Sequence, residues 1–237
     1  MSRKIKKLLS AVLALIYPER CVFCREFNNT IACESCHNGH TQVAGSTCNL
    51  CGCGSAGCKC GGTANAYYSG LAAPFYYEGQ LAQRILAYKY RGKHNYGKYF
   101  SRQMADIIKS HYKNVNFDAI VCVPMFKQPN AKDFDHALDL AKRISAETKI
   151  KLIKNALTKT AGGTRQHMLN HDERRANVKG LYKADATHIS GKRILLIDDI
   201  ATTGATLDQC ANQILIAGAK EVYCAVTAIT KLRRNVL

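Results

Sequence analysis

Two adjacent carboxylates followed by a hydroxyl-rich turn are the residues of this chain best suited to chemistry. The run Ile194-Leu195-Leu196-Ile197-Asp198-Asp199-Ile200-Ala201-Thr202-Thr203-Gly204-Ala205-Thr206-Leu207 reads as a buried strand, two acids, a short loop and the start of a helix. Backbone N–H groups at a helix start, aided by the helix dipole, can cradle a phosphate. Thr202, Thr203 and Thr206 add hydroxyl donors, and Gly204 lets the backbone approach closely. Asp198 and Asp199 would repel that phosphate, so a sugar diol, met directly or through a cation, is their fitting partner. Phosphate and diol on one ligand describe ribose 5-phosphate.

A second chemistry belongs to the cysteines. The chain has 12, of which nine fall between Cys21 and Cys60. Cys21, Cys24, Cys33 and Cys36 follow a C-x2-C-x8-C-x2-C spacing. Each C-x2-C turn grips one ion with two thiolates, and two turns complete a tetrahedron; zinc suits such soft ligands. Cys48, Cys51, Cys53, Cys58 and Cys60 offer five thiols for a second site. Cys48 and Cys51 form a normal knuckle and Cys58 with Cys60 completes it, leaving Cys53 as the spare thiol or as a replacement for Cys58 or Cys60. This glycine-rich stretch has few large apolar residues and cannot bury a core of its own. Two structural zinc ions are therefore expected, with metal binding supplying the folding free energy. Thiolate ligands imply a reducing compartment, hence cytoplasm.

Those groups need elements to hold them. Residues 67–77 read as a strand pair around Gly70, 80–90 and 97–111 as helices, and 119–123 as a short apolar strand. Residues 135–148 read as a helix, 150–157 as extended, 193–197 as a buried strand, 207–217 as a helix and 221–227 as a final strand. Wholly apolar strands alternating with helices predict an α/β fold with a parallel sheet covered on both faces. Ligands of such sheets bind beyond the carboxyl ends of the strands. Three regions are expected: an amphipathic helix over 1–20, a cysteine module over 21–63 ending near Gly61-Gly62-Thr63, and the α/β domain over 64–237. Lys4, Lys6 and Lys7 precede the apolar run Leu8–Tyr17, but no small-x-small cleavage motif follows. Packing on the body is the expectation for this helix, with a peripheral membrane contact as the lesser one.

Across 237 residues, 34 Lys and Arg against 17 Asp and Glu leave a formal charge of +17, which points to polyanionic or phosphorylated partners. A hydrophobic fraction of 47% excludes a disordered chain, and no apolar run approaches the roughly 18 to 20 residues that span a bilayer.

The acids-plus-threonine run resembles the phosphoribosyl-pyrophosphate motif of type I phosphoribosyltransferases. Further segments extend the likeness over nearly the whole chain: Tyr77-Glu78-Gly79, Lys89-Tyr90-Arg91-Gly92, Val123-Pro124, Gln166 with Arg174 and Asn177-Val178, and Gly191-Lys192. With paired cysteines ahead of the transferase part, the sequence resembles the ComF family of competence-associated proteins. The resemblance implies a type I phosphoribosyltransferase-like sheet with an N-terminal zinc module. It implies that Asp198 and Asp199 hold the ribose hydroxyls and that Ala201, Thr202, Thr203, Gly204, Ala205 and Thr206 bind the 5′-phosphate. It also implies that Mg2+ bridges ribose and pyrophosphate. It implies a role in natural transformation, with single-stranded DNA and DNA-uptake proteins as partners. One segment departs from the family. Where relatives carry an arginine-rich loop, this chain has Met125 to Ala137, with Lys127 and Lys132 as the cations present. Together with Lys89 they are the pyrophosphate candidates, although lysine lacks the bidentate fork of arginine.

Displacing pyrophosphate builds positive character on the ribose ring, which Asp198 and Asp199 would favour. Arg165, Gln166 and Arg174 mark a cover that excludes water. A non-catalytic alternative uses Tyr88, Tyr90, Arg91 and Lys93, where cations and rings interleave as single-strand binding needs.

Overall fold

The computed structural model describes residues 20–28, 30–58, 60, 66–125, 134–159 and 181–231. The expected helix over 1–20 lies almost wholly outside these residues, as does the Gly61-Gly62-Thr63 boundary. In chain order the elements are α1 (Glu34–Asn38), a 3-10 turn (Ser55–Gly57), β1 (Gly70–Ala72), β2 (Phe75–Tyr76), α2 (Gly79–Tyr90), α3 (Tyr96–His111) and β3 (Ala119–Cys122). Then come α4 (His136–Thr148), β4 (Leu157–Lys159), β5 (Tyr182–Ala184), α5 (Ala186–Ile189), β6 (Arg193–Ala201), α6 (Ala205–Ile216) and β7 (Glu221–Ile229).

The main sheet runs β1-β7-β6-β3, with β2 also on β7, and every pairing is parallel. Side chains of β6 alternate between its faces. Ile194 and Leu196 meet Leu207, Cys210, Ala211 and Ile214 of α6 on one side. Leu195 and Ile197 meet Leu81, Ile85, Phe100, Met104, Leu140 and Ile144 of α2, α3 and α4 on the other. Both faces are therefore covered, as the apolar strand pattern requires.

Three details differ from the sequence reading. The strand pair expected around Gly70 is one edge strand in two pieces. Gly70 pairs with Tyr223 and Phe75 with Ala228, the same register on β7. Pro74, which has no N–H to give, falls in the break. Its carbonyl instead accepts from Val43 N at 2.9 Å, bringing the cysteine-rich segment onto the edge. Next, β6 does not stop at Ile197: Ile200 and Ala201 still pair with Ala228 and Ile229, so both acids lie within the strand. Finally, residues 150–157 pair with the sheet through a single bridge, Leu152 to Ile120, rather than as a strand, before Asn155 at φ 60° turns the chain into β4. An antiparallel β4–β5 pair, which the sequence did not announce, sets Lys159 opposite Tyr182. Among the described residues, no helix is long and apolar enough to cross a membrane.

Candidate functional site

The carboxyl end of β6 carries Asp198 and Asp199 between β3 and β7. Strand alternation turns Asp198 toward the α6 face and Asp199 toward α2 and α4. Asp199 is only 4% exposed, and its Oδ2 lies 2.7 Å from Lys89 Nζ and 2.9 Å from His136 Nε2. Burial pushes the Asp199 carboxyl up, but the His136 contact and the Lys89 charge outweigh it and hold the group below the usual carboxylate range. Burial likewise opposes the Lys89 charge, and Asp199 more than compensates, raising that ammonium above its ordinary value. The Lys89 charge also favours ionised Asp198, but less than the opposing effects. Burial, with the Asp199 charge beside it, pushes Asp198 well above its ordinary value. Its Oδ1 accepts from Asp199 N at 2.8 Å.

The loop after β6 is short because Gly204 adopts φ 75° and hands the chain directly to α6. Thr202, Thr203 and Thr206 are exposed. Ala205 N donates to Thr203 Oγ1 at 3.3 Å, and Asp208 N to the Gly204 carbonyl at 2.9 Å. Of the predicted loop from Ala201 to Thr206, Ala201 is buried as the last residue of β6, and the remainder is a largely exposed turn and helix start directly beyond the carboxylates.

Lys89 stands at this site, paired with Asp199. Lys127 and Lys132 lie outside the described residues, as do Arg165, Gln166 and Arg174. His136 was missed by the sequence reading, which treated its segment as a departure. It opens α4 behind the N-cap Asp135, whose side chain accepts from Leu138 N. Among the described residues, the buried Nδ1 of His136 has no hydrogen-bond partner. Donor atoms of His136, Asp198 and Asp199 lie within 4.8 Å of one another, a set able to hold a divalent cation.

Among the nucleic-acid candidates, Tyr90 is 72% exposed, and Arg91 and Lys93 are exposed beside it. Tyr88 is a correction. It is fully buried, and its hydroxyl donates to Asp139 Oδ2 at 2.8 Å and to the His136 carbonyl at 3.1 Å. Its ring cannot stack on a base. The spacing Leu81, Ile85, Tyr88 is a continuous apolar face of α2, and that was the signal to follow.

The cysteines gather into the two expected groups, Cys21 with Cys24, Cys33 and Cys36, and Cys48 with Cys51, Cys58 and Cys60. A tetrahedron with metal–sulfur bonds of about 2.3 Å has sulfur–sulfur edges of about 3.8 Å. The observed separations are 3.7 Å for Cys24–Cys33, 3.5 Å for Cys48–Cys60 and 3.6 Å for Cys51–Cys58. They are far beyond the about 2.05 Å of a disulfide. Soft thiolates at this spacing can hold zinc. Cys53 is buried in the body core instead. Burial opposes ionisation of Cys21, but N–H groups of Cys24, Cys33 and Phe23 outweigh it and bring the thiol down to about 6. In the second group Cys48 falls to about 7, again against burial, through N–H groups of Cys51 and Leu50.

A family model described as a phosphoribosyl transferase domain matches residues 95–235. The DNA utilization protein YhgH of Escherichia coli O157:H7 is 27% identical over 110 residues, 45% of this chain and 48% of that protein. The chain thus spans about half the length of the curated relatives it matches. Among solved structures, a glutamine phosphoribosylpyrophosphate amidotransferase from B. subtilis shares 20% identity at a TM-score of 0.40, covering 59% of this chain and 30% of its own. A purine phosphoribosyltransferase from Pyrococcus horikoshii Ot3 shares 17% identity at a TM-score of 0.37, covering 57% and 78%.

Proposed function

The chain belongs to the phosphoribosyl transferase domain family, and from that premise we propose that it binds phosphoribosyl pyrophosphate beyond the carboxyl end of β6. The observation that carries this reading is one strand delivering Asp198 and Asp199 to the mouth of the exposed Thr202–Thr206 turn at the α6 N-terminus. The turn would take the 5′-phosphate on its N–H and hydroxyl groups. The carboxylates would accept from the ribose hydroxyls and favour positive character on the ring as pyrophosphate departs. Lys89, already 2.7 Å from Asp199, brings a cation to where the leaving group's charge develops. Magnesium would be held by His136 with the two acids and would supply further positive charge at the site.

With its tetracysteine clusters and its likeness to a DNA utilization protein, the chain is read as a ComF-type protein of DNA uptake. Phosphoribosyl transfer to an unidentified acceptor would be its activity, in the cytoplasm, with structural zinc in both clusters. The test is thermal. Phosphoribosyl pyrophosphate with magnesium should raise the melting temperature by several degrees at saturating ligand, and Asp198→Asn/Asp199→Asn should remove the shift. No shift in the unaltered chain, or the same shift in the variant, overturns the ligand assignment.

A second reading, a non-catalytic factor that binds single-stranded DNA, is favoured by Tyr90 standing exposed among Arg91 and Lys93. Binding of a labelled oligonucleotide should fall steeply with salt and weaken in Tyr90→Ala. Absence of binding at low salt removes it.

A further inference from the structure

Between the second cysteine cluster and the phosphate loop stands Tyr68, 7% exposed, on the segment that leads into β1. Its hydroxyl donates to the Leu50 carbonyl at 2.6 Å. Leu50 is the residue just before Cys51 in the Cys48–Cys51 knuckle, whose backbone is closed by Gly52 N on the Cys48 carbonyl and Cys48 N on the Cys53 carbonyl, both at 2.8 Å. On its other side the same hydroxyl oxygen lies against Gly204: a Cβ built there would be 3.2 Å from it. The preceding residue is fastened as well. Tyr67 N donates to Asp208 Oδ1 at 2.7 Å, and Asp208 N donates to the Gly204 carbonyl. Tyr67 therefore holds the first turn of α6 at Asp208, and the Tyr68 hydroxyl borders it at Gly204.

This arrangement bears on the cradle because a glycine at φ 75° is the most permissive point of the loop. Phosphate binding by backbone N–H groups depends on their directions being set in advance. A tyrosine oxygen bonded to a knuckle carbonyl, 3.2 Å from where a Gly204 Cβ would stand, bounds the space into which that glycine can turn. We propose that Tyr68 is a positioning residue through which the metal-closed second knuckle fixes the phosphate loop. The proposal rests on the ligand reading above.

The probes are ribose 5-phosphate, which carries the 5′-phosphate, and inorganic pyrophosphate, which does not, titrated calorimetrically into the zinc-loaded full chain. Tyr68→Phe keeps the ring and removes the hydroxyl. It should weaken ribose 5-phosphate about fivefold, the worth of one net hydrogen bond, with pyrophosphate affinity and zinc content unchanged and the melting temperature lowered by only a few degrees. Stripping zinc from the unaltered chain should weaken ribose 5-phosphate at least as much, and Tyr68→Phe should then add nothing. Asp208→Ala, which removes the anchor at the other end of the turn, should show the same selectivity and serves in place of Tyr68→Phe should that variant not fold. Unchanged ribose 5-phosphate affinity overturns the proposal, as does a loss shared equally by both probes. Additive losses from zinc removal and Tyr68→Phe break the link to the knuckle. Should the unaltered chain bind pyrophosphate but not ribose 5-phosphate, the loop's ligand assignment fails and this proposal with it.

Discussion

The first cysteine cluster meets the body through charges and rings, whereas the second meets it through packing and backbone hydrogen bonds. At the first, Arg84 of α2 lies 3.9 Å over the Phe23 ring inside the knuckle, with Nη2 3.8 Å from Cys36 Sγ and Nη1 2.9 Å from His40 Nε2. Tyr99 Oη then joins His40 Nδ1 at 3.2 Å to His37 Nδ1 at 2.8 Å. At the second, Cys53 is buried in the sheet core, Gly54 N donates to Tyr76 Oη at 3.0 Å, and Gly52 lies against Leu71. Two sites with the same ligand chemistry thus have different weaknesses. One is sensitive to charge and the other to volume.

The largest effect should come from adding volume at the second site. Gly52 has φ 70°, and a Cβ there would stand 3.1 Å from the Leu71 carbonyl oxygen. Gly52→Val combines backbone strain with overpacking and should cost about 3 kcal/mol in a denaturant titration. Gly45→Ala is the control: its φ is 74° but nothing lies within 4 Å, so it should cost only about 1 kcal/mol. Equal losses would mean that the second cluster is not packed against β1 as described.

Removing charge at the first site comes next. Arg84→Ala deletes the stacking on Phe23 and the hydrogen bonds to Cys36 and His40, a loss of about 1 to 2 kcal/mol. Measured as metal content under a chelator, the first cluster should empty sooner while the second is retained. Simultaneous loss from both would erase the contrast between them.

Acid should give the mildest separation. Burial first, then the charges of Arg84 and His37, bring His40 down from 6.5 to about 4. A histidine depressed in this way contributes stability that is present above 6.5 and lost as pH falls from 6.5 toward 4, because only the unfolded chain takes up the proton readily. Hydrogen exchange of residues 37–43 should accelerate across that window, with residues 66–76 unaffected. Identical acceleration in both segments would contradict the assignment to His40.

The sheet was legible because its strands at Ala119–Cys122 and Ile194–Ile197 are wholly apolar, a pattern that only burial on both faces explains. The first thiolate group was legible from spacing alone, since a C-x2-C turn is local, whereas five thiols left the second open at Cys53 until the fold buried that residue in the core. The β4–β5 pair was not, because Thr158, Lys159 and Lys183 are exposed and carry no apolar alternation. Lys89 and His136 converge on Asp199 from two helices, a meeting set by how α2 and α4 pack rather than by any local pattern. Tyr88 was misread for the opposite reason: its basic neighbours drew attention from the helical period that buries it.

The most direct test of the central claim is a crystal structure of the chain with ribose 5-phosphate. The account predicts the phosphate within hydrogen-bond distance of backbone N–H groups in Thr202–Thr206 and a ribose hydroxyl on Asp198 or Asp199. A ligand bound elsewhere, with Lys89 and His136 still closing Asp199 and the threonine turn empty, would contradict it.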